Sequence, residues 1–312
     1  MKDFWNLRRL VHAVVVFALS TALWAAGIVY ADQRIIGLEG QPNFRDIGGY
    51  QTSDGQKVRS GLVYRSGELP RLTAVDVKKL HQLGIKTVVN FLTPNEIEWR
   101  GQDRLPAGVR VINIPITGEI NGIPDVANKL VEARKSGDFR AFPPEFNQQV
   151  HRELVSGIGD QEYGELFKVL ADKSNYPLVY HCSHGIHRTG TATALVLTAL
   201  GVPWETVRQD YLLSNAARQS EVSRRITELE ADASGIPMSD SDREANAQAI
   251  RAFYVLQPEY IDASLDAAVK RYGSLDRYLT EGIGVTDQQI LLLRDLLTAP
   301  QGNQTNSGAV RR

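Results

Sequence analysis

The chain has 312 residues, 43% of them hydrophobic and 23% charged, enough for one sizeable core and too apolar for wholesale disorder. Its formal net charge of −1 lacks the basic field that nucleic-acid partners require. The single cysteine, Cys182, excludes an intramolecular disulfide and leaves two readings, a buried small hydrophobe or a reactive thiol.

In chain order, Lys2, Arg8 and Arg9 precede a stretch, residues 11–30, without Asp, Glu, Lys or Arg. At roughly 1.5 Å per helical residue it measures about 30 Å, the thickness of a bilayer core. Residues 1–31 are expected to be a membrane anchor, or a signal peptide cleaved near Val29-Tyr30-Ala31. A buried core helix fits less well, because the run has no polar face. With the basic residues on the N-terminal flank, either membrane reading places everything after residue 31 outside the cytoplasm, periplasmic or secreted if the signal is cleaved.

The globular part opens at Asn43-Phe44-Arg45-Asp46-Ile47-Gly48-Gly49-Tyr50, where the glycines and Ser53-Asp54-Gly55 predict a small hairpin. Residues 62–65 read as a short strand. Residues 73–83 read as a helix capped by Thr73, ended by Gly84, with Val75, Val77 and Leu80 on its apolar face. Residues 85–92, 109–116 and 177–180 are runs of apolar and β-branched residues, the pattern of parallel strands buried on both faces. Residues 117–150, broken by Gly118, Gly122, Pro124, Pro143 and Pro144 around a helix at 125–135, read as a lid-like insertion or a surface excursion. A helix at 162–171 leads into the last of these strands, and residues 204–297 read as almost wholly helical, with Ile261, Leu265, Val269 and Tyr272 on one buried face. The fold class expected is α/β, a mainly parallel sheet flanked by helices. The expected divisions are a catalytic domain at 41–215, a helical C-terminal extension packed on it at 216–298, and a disordered tail at 299–312.

The chemistry concentrates in Val179-Tyr180-His181-Cys182-Ser183-His184-Gly185-Ile186-His187-Arg188-Thr189-Gly190. A strand runs into this stretch and a helix (191–200) runs out, a junction where backbone N–H groups and the positive helix end hold an anion. That field also favours thiolate over thiol. Arg188, six residues after Cys182, offers a planar fork to two phosphate oxygens. Thr189 places a hydroxyl for the departing thiolate, and Gly185 and Gly190 allow a tight backbone. His181, His184 and His187 recur at a spacing that suits metal ligands, but no carboxylate lies in the loop, and no metal is expected. His184 and His187 are left as substrate-shaping, proton-carrying or solvent-facing groups. Tyr211 to Asn215 reads as helix packing against the loop.

His181, Cys182, Arg188 and Thr189 match the His-Cys-x5-Arg-Ser/Thr motif, and the chain resembles the protein tyrosine and dual-specificity phosphatases. The opening Asn43–Gly49 stretch, Tyr64-Arg65-Ser66-Gly67, Asp210-Tyr211-Leu212-Leu213-Ser214-Asn215, Tyr272-Gly273-Ser274-Leu275 and Gly284-Val285-Thr286 resemble the bacterial secreted group typified by the mycobacterial protein tyrosine phosphatase B, over residues 41–298. The resemblance implies a cysteine-phosphatase fold and two-step hydrolysis of phosphotyrosine, with phosphoserine and phosphothreonine as further substrates. Cys182 would be the nucleophile, Arg188 the phosphate clamp and Thr189 the thiolate stabiliser. Ser183, His184, Gly185, Ile186, His187 and Gly190 would line the bound phosphate. His181, Arg45 and Asp46 are supporting residues; the last two either reach the site or form an ion pair with each other. No cofactor is implied, and the partner is a phosphorylated protein or small phosphomonoester.

Two departures qualify the match. Lipid-active members carry Lys-Asp before the arginine, where this chain has Ile186 and His187, which argues against phosphoinositides. Relatives read Asp-Leu-Arg where this chain has Asn90-Phe91-Leu92, so a carboxylate is missing. The general acid is then expected from the loop after the neighbouring strand: Glu119 first, Asp125 next, His187 third, with a solvated surface carboxylate as the bland reading of Glu119. An inositol-phosphate or lipid-headgroup phosphatase and a phosphate-binding module with little turnover are the competing functions.

Overall fold

The computed structural model describes residues 32–120 and 122–300. The predicted anchor or signal at 1–31 lies outside them, as does the tail from 301. Among the described residues no helix is long and apolar enough to cross a membrane.

The central sheet has five strands in the order β1 (Arg45–Asp46), β3 (Val63–Ser66), β6 (Leu178–His181), β4 (Thr87–Asn90), β5 (Arg110–Asn113). β1 runs antiparallel to β3, and the other four are mutually parallel. β6, β3 and β4 read as unbroken buried runs because both faces are covered. Alternate side chains enter separate cores: Tyr64, Val88 and Val179 join Phe44, Leu69 and Leu80 on one face. Val63, Val89, Leu178 and Tyr180 face the helices that follow β6.

β5 departs from the expectation of a strand buried on both faces. It is the sheet edge, so Arg110, Val111 and Asn113 are exposed. The helix Ala74–Gln82 has its Thr73 cap and closes a capping box with Asp76. Val75, assigned to its apolar face, is exposed instead, and Asp76 is buried because it accepts the amides of Thr73, Glu39 and Gly40. In Pro258–Tyr272 the buried stripe runs through Tyr260, Ile261, Ser264 and Ala268, leaving Val269 exposed. Small residues there let this helix pack closely on Phe146–Leu154, a helix the sequence reading left out.

The hairpin turn at residues 51–57 forms a single bridge, Gln51 to Lys57, and β2 (Gln56–Val58) takes its partner from β7 (Thr298–Pro300). Residues 299 and 300, assigned to the tail, are therefore in a strand. Helix Trp204–Ala217 runs through the expected boundary at 216, and the described residues from Arg34 to Pro300 belong to one compact unit.

Candidate active site

The parallel register brings Ser66, His181 and Asn90 level at the carboxyl ends of β3, β6 and β4. Ligands of open α/β sheets sit in the crevice beyond those ends. Here β6 passes through residues 182–186 into helix His187–Ala199, which begins four residues earlier than the sequence pattern indicates and so includes Arg188 and Thr189.

Carbonyl groups of the loop are held from outside. Asn43 Nδ2 donates to the oxygens of His184 (3.0 Å) and Gly185 (3.2 Å), Arg65 Nη2 to Gly185 (2.8 Å), and the Glu68 amide to Ser183 (3.1 Å). With the carbonyls turned outward, the amides turn inward. Gly185 has φ +67°, and a Cβ there would meet the Ser66 oxygen at 2.5 Å, so only glycine fits. At Gly190 a Cβ would meet the Tyr211 ring at 3.0 Å.

Behind these donors lies a buried ionic knot. Asp210 accepts from Arg45 Nε (3.2 Å), Arg65 Nη1 (2.5 Å) and Tyr50 OH (3.0 Å), and Arg45 also reaches Ser214 and Asn43. Three separated stretches, Asn43–Arg45, Arg65 and Asp210–Ser214, thus converge on the outside of one loop. Arg45 is in a structural ion pair, as one of the two readings expected, but with Asp210 rather than with its neighbour Asp46. Asp46 instead accepts the amides of Gly48 (2.7 Å) and Gly61 (2.6 Å). Tyr211 packs against the loop helix, as its position indicated.

Cys182 is buried, which alone would push its thiol up, yet Arg188, the Thr189 hydroxyl and the amides of Thr189 and Gly185 bring it below its ordinary value. The Thr189 hydroxyl has no nitrogen or oxygen partner, which leaves it for the sulfur. Arg188 is partly buried, its side chain 12% exposed. Burial disfavours its charge, but Glu96 outweighs that and raises its pKa. Glu96 Oε1 and Oε2 take Nη2 and Nη1 at 2.7 and 2.8 Å, and Nη1 also donates to the Phe91 and Ile116 oxygens. Glu96 is itself fixed by a capping box with Thr93.

The three histidines diverge. His181 bonds Asp103 Oδ2 at 2.9 Å, and although burial opposes it, Asp103 raises its pKa. His184 packs edge-on to Tyr254, and His187 Nε2 bonds Asn147 Oδ1 at 3.1 Å. Burial holds both rings well below the usual imidazole range, with nearby arginines and, for His187, His151 adding to it.

A cavity of about 50 Å³ opens over Cys182, Ser183, His184, Ile186, His187 and Arg188. The 117–150 segment supplies its wall through Ile120, Val126, Leu130 and Arg134. Glu119 and Asp125 are exposed and do not line it. Asp125 turns outward at φ +47° to bond Thr117 (3.0 Å), and the apolar face that starts at Val126 takes the inward position instead. Among the described residues Glu96 is the one carboxylate lining the cavity.

Sequence reasoning missed Glu96, Asp103, Arg134 and Asn147. For Glu96 a signal existed: Thr93-Pro94-Asn95-Glu96 is a capping-box sequence. The others come from separate elements with no local signature.

A parallel sheet that delivers a low-pKa cysteine and a clamped arginine into one strand–loop–helix junction is the arrangement of cysteine-dependent phosphoryl hydrolases. The tyrosine phosphatase family matches residues 36–299. A protein of Cupriavidus necator whose name assigns it to the tyrosine-protein phosphatases is 29% identical over 252 residues, 80% of this chain and 84% of its own. The triple specificity protein phosphatase PtpB of Mycobacterium tuberculosis is 26% identical over 295 residues, 83% of this chain and 98% of its own. The crystal structure of P. aeruginosa TpbA aligns with 64% of this chain and 97% of its own, at 21% identity and a TM-score of 0.32. The chain belongs to the tyrosine phosphatase family and is a phosphoric monoester hydrolase.

Proposed function

We propose that the protein hydrolyses phosphotyrosine through a phosphocysteine intermediate at Cys182. The observation that carries this is the buried, acidified thiol of Cys182 facing an Arg188 whose other side is held by Glu96. Sγ attacks phosphorus as the phosphorus–oxygen bond to the leaving group breaks, and the loop amides with Arg188 hold the equatorial oxygens. Water then forms a new bond to phosphorus, the sulfur–phosphorus bond breaks, and the Thr189 hydroxyl receives the returning thiolate.

The protonation of the leaving oxygen favours one substrate class. Glu96 is committed to Arg188 and held below the usual carboxylate range, since Arg188 and Arg134 overcome its burial. Glu119 and Asp125 are exposed and do not line the cavity, and burial holds His187 well below the usual imidazole range. Among the described residues no carboxylic acid other than the Arg188-bound Glu96 lines the cavity, so leaving groups that depart as stable anions are preferred, and phenolic phosphotyrosine is favoured over phosphoserine and phosphothreonine. Cys182→Ser is expected to abolish hydrolysis of p-nitrophenyl phosphate while vanadate still binds, and wild-type rates should fall steeply from p-nitrophenyl to phenyl to alkyl phosphate. Glu119→Gln should leave that series unchanged. Activity in the serine variant would overturn the nucleophile, and a flat series would overturn the missing acid.

We also propose export, on the charge asymmetry about residues 11–30. A C-terminal alkaline-phosphatase fusion should be active in a bacterial host, because that reporter needs disulfides formed outside the cytoplasm. An inactive fusion alongside a fluorescent cytoplasmic one would reverse the assignment.

A further inference from the structure

Among the described residues, seven of the fourteen buried side-chain atoms without a hydrogen-bond partner belong to five residues around the loop: Glu68, Arg100, Arg134, His184 and Arg218. Leaving such groups unmet is costly, and more so when they are charged, so their clustering on one side of the site needs a cause.

Arg134 is the most exceptional. It is 3% exposed, and its Nε and Nη1 make no hydrogen bond. Its nearest carboxylate oxygen, on Glu96, is 3.9 Å away, while the same carboxylate sits 2.7–2.8 Å from Arg188. Arg134 also packs over the Phe253 ring at 5.4 Å, and its carbonyl is pinned by Arg225 at 2.8 Å. It forms part of the wall of the cavity that holds Cys182 and Arg188. A second guanidinium is therefore presented at the phosphate site with two of its nitrogens, Nε and Nη1, making no hydrogen bond.

On the far side of His184 a groove of about 770 Å³ runs between the 39–42 segment, Trp99 and the helix Gln219–Ala233. Three of its four arginines are already paired: Arg100 with Glu68 (2.9 Å), Arg225 with Glu228 (3.1 Å) and Arg224 with Glu228 (3.8 Å). A groove of balanced charge with a tryptophan wall does not fit a compact polyanion such as an inositol polyphosphate. It does fit a polypeptide, and an acidic side chain entering past His184, which lines both spaces, meets the planar fork of Arg134 in the neighbouring cavity.

We propose that Arg134, backed by Arg100, is an anion subsite beside the phosphate loop that selects phosphotyrosine peptides with Glu or Asp next to the phosphotyrosine. The inference deepens the phosphatase reading and rests on it.

The test uses the full chain and three peptides that differ only in having Glu, Gln or Lys beside phosphotyrosine. Wild-type kcat/KM should rank Glu above Gln above Lys, with about tenfold between the extremes, a difference of about 1.4 kcal/mol. Arg134→Gln should compress that spread to within about twofold, Arg134→Lys should keep part of it, and Arg100→Gln should narrow it to an intermediate degree. Each rate is divided by the variant's own rate on p-nitrophenyl phosphate, so a general loss of activity cancels. Binding of the same peptides to Cys182→Ser, measured by calorimetry, gives the ranking without turnover. If p-nitrophenyl phosphate is not hydrolysed, the catalytic reading has failed, and the binding series still judges the subsite. No ranking in either series, or a ranking that Arg134→Gln leaves intact, overturns the proposal. An inositol bisphosphate that outcompetes the Glu peptide and loses more on Arg134→Gln would overturn the peptide assignment in favour of a phosphate on a ring.

Discussion

At Arg188, burial and ion pairing oppose each other, and Glu96 decides the outcome. Replacing Glu96 by Gln keeps the shape of the side chain but leaves the partly buried Arg188 and the buried Arg134 without a counter-charge. Breaking a buried pair in this way costs about 3–5 kcal/mol, because the remaining ion cannot be rehydrated. Glu96→Gln is therefore expected to lower the unfolding free energy by about that amount in urea titrations. It should also reduce kcat/KM by roughly two orders of magnitude, as the Arg188 fork loses its fixed orientation. A variant of wild-type stability would show that the clamp is not needed. Residue-level legibility followed chain distance. Cys182, Arg188 and Thr189 lie within eight consecutive residues at one loop–helix junction, so their spacing alone carried their geometry. Glu96 sits on a different helix, and its capping-box sequence foretold a helix start without foretelling that the same carboxylate would also hold an arginine.

The elements around the loop act through Asp210. It carries one charge against Arg45 and Arg65, all three buried, and through Arg65 it fixes the outward turn of the Gly185 carbonyl. Burial would raise its pKa, but Arg45 and Arg65 keep it below the usual carboxylate range. Asp210→Asn should destabilise by about 3–5 kcal/mol and weaken vanadate binding, since the loop amides lose their inward aim. Unchanged vanadate affinity, measured by calorimetry on whatever fraction is folded, would contradict this role. Strands β4 and β6 were legible because burial on both faces writes itself as a run of apolar and β-branched residues, and β3, though it carries Arg65 and Ser66, was read as a short strand. β5 lies within the expected residues 109–116, but its exposure was not legible, since an edge strand can carry the same residues with one side open. Helix faces failed at Val75 and Val269 for a related reason: apolar periodicity marks a face only when nothing smaller or hydrogen-bonded competes for it, as Asp76 and Ala268 do here.

For the molecule as a whole, three buried imidazoles set its response to acid. His151 bonds Thr191 and Tyr211, and burial lowers its pKa to about 3; His184 and His187 are also lowered, chiefly by burial. Each folded value lies below the ordinary 6.5, so the unfolded chain binds the proton first. Their contribution is complete above about pH 6.5 and is lost as pH falls below it, at about 1.36 kcal/mol per group per pH unit. His181 works in the opposite sense. Its raised pKa adds stability that is complete below 6.5 and fades as pH rises through the folded value, so it does not confuse the acid window. Unfolding free energy should thus fall between about pH 6 and pH 5, and His151→Gln should recover about 1 kcal/mol of that fall. A flat profile would mean the histidines reach solvent.

All of these properties serve one chemical claim, a covalent bond between Cys182 and phosphorus. The most direct measurement is to quench the full chain in acid during turnover of a phosphotyrosine peptide and weigh its proteolytic fragments. The fragment bearing Cys182 should carry one added phosphoryl group, absent from Cys182→Ser and absent when the wild-type enzyme is left to complete turnover before the quench. Sustained turnover with that fragment unmodified at every quench time, or the phosphoryl group on another residue, would contradict the mechanism.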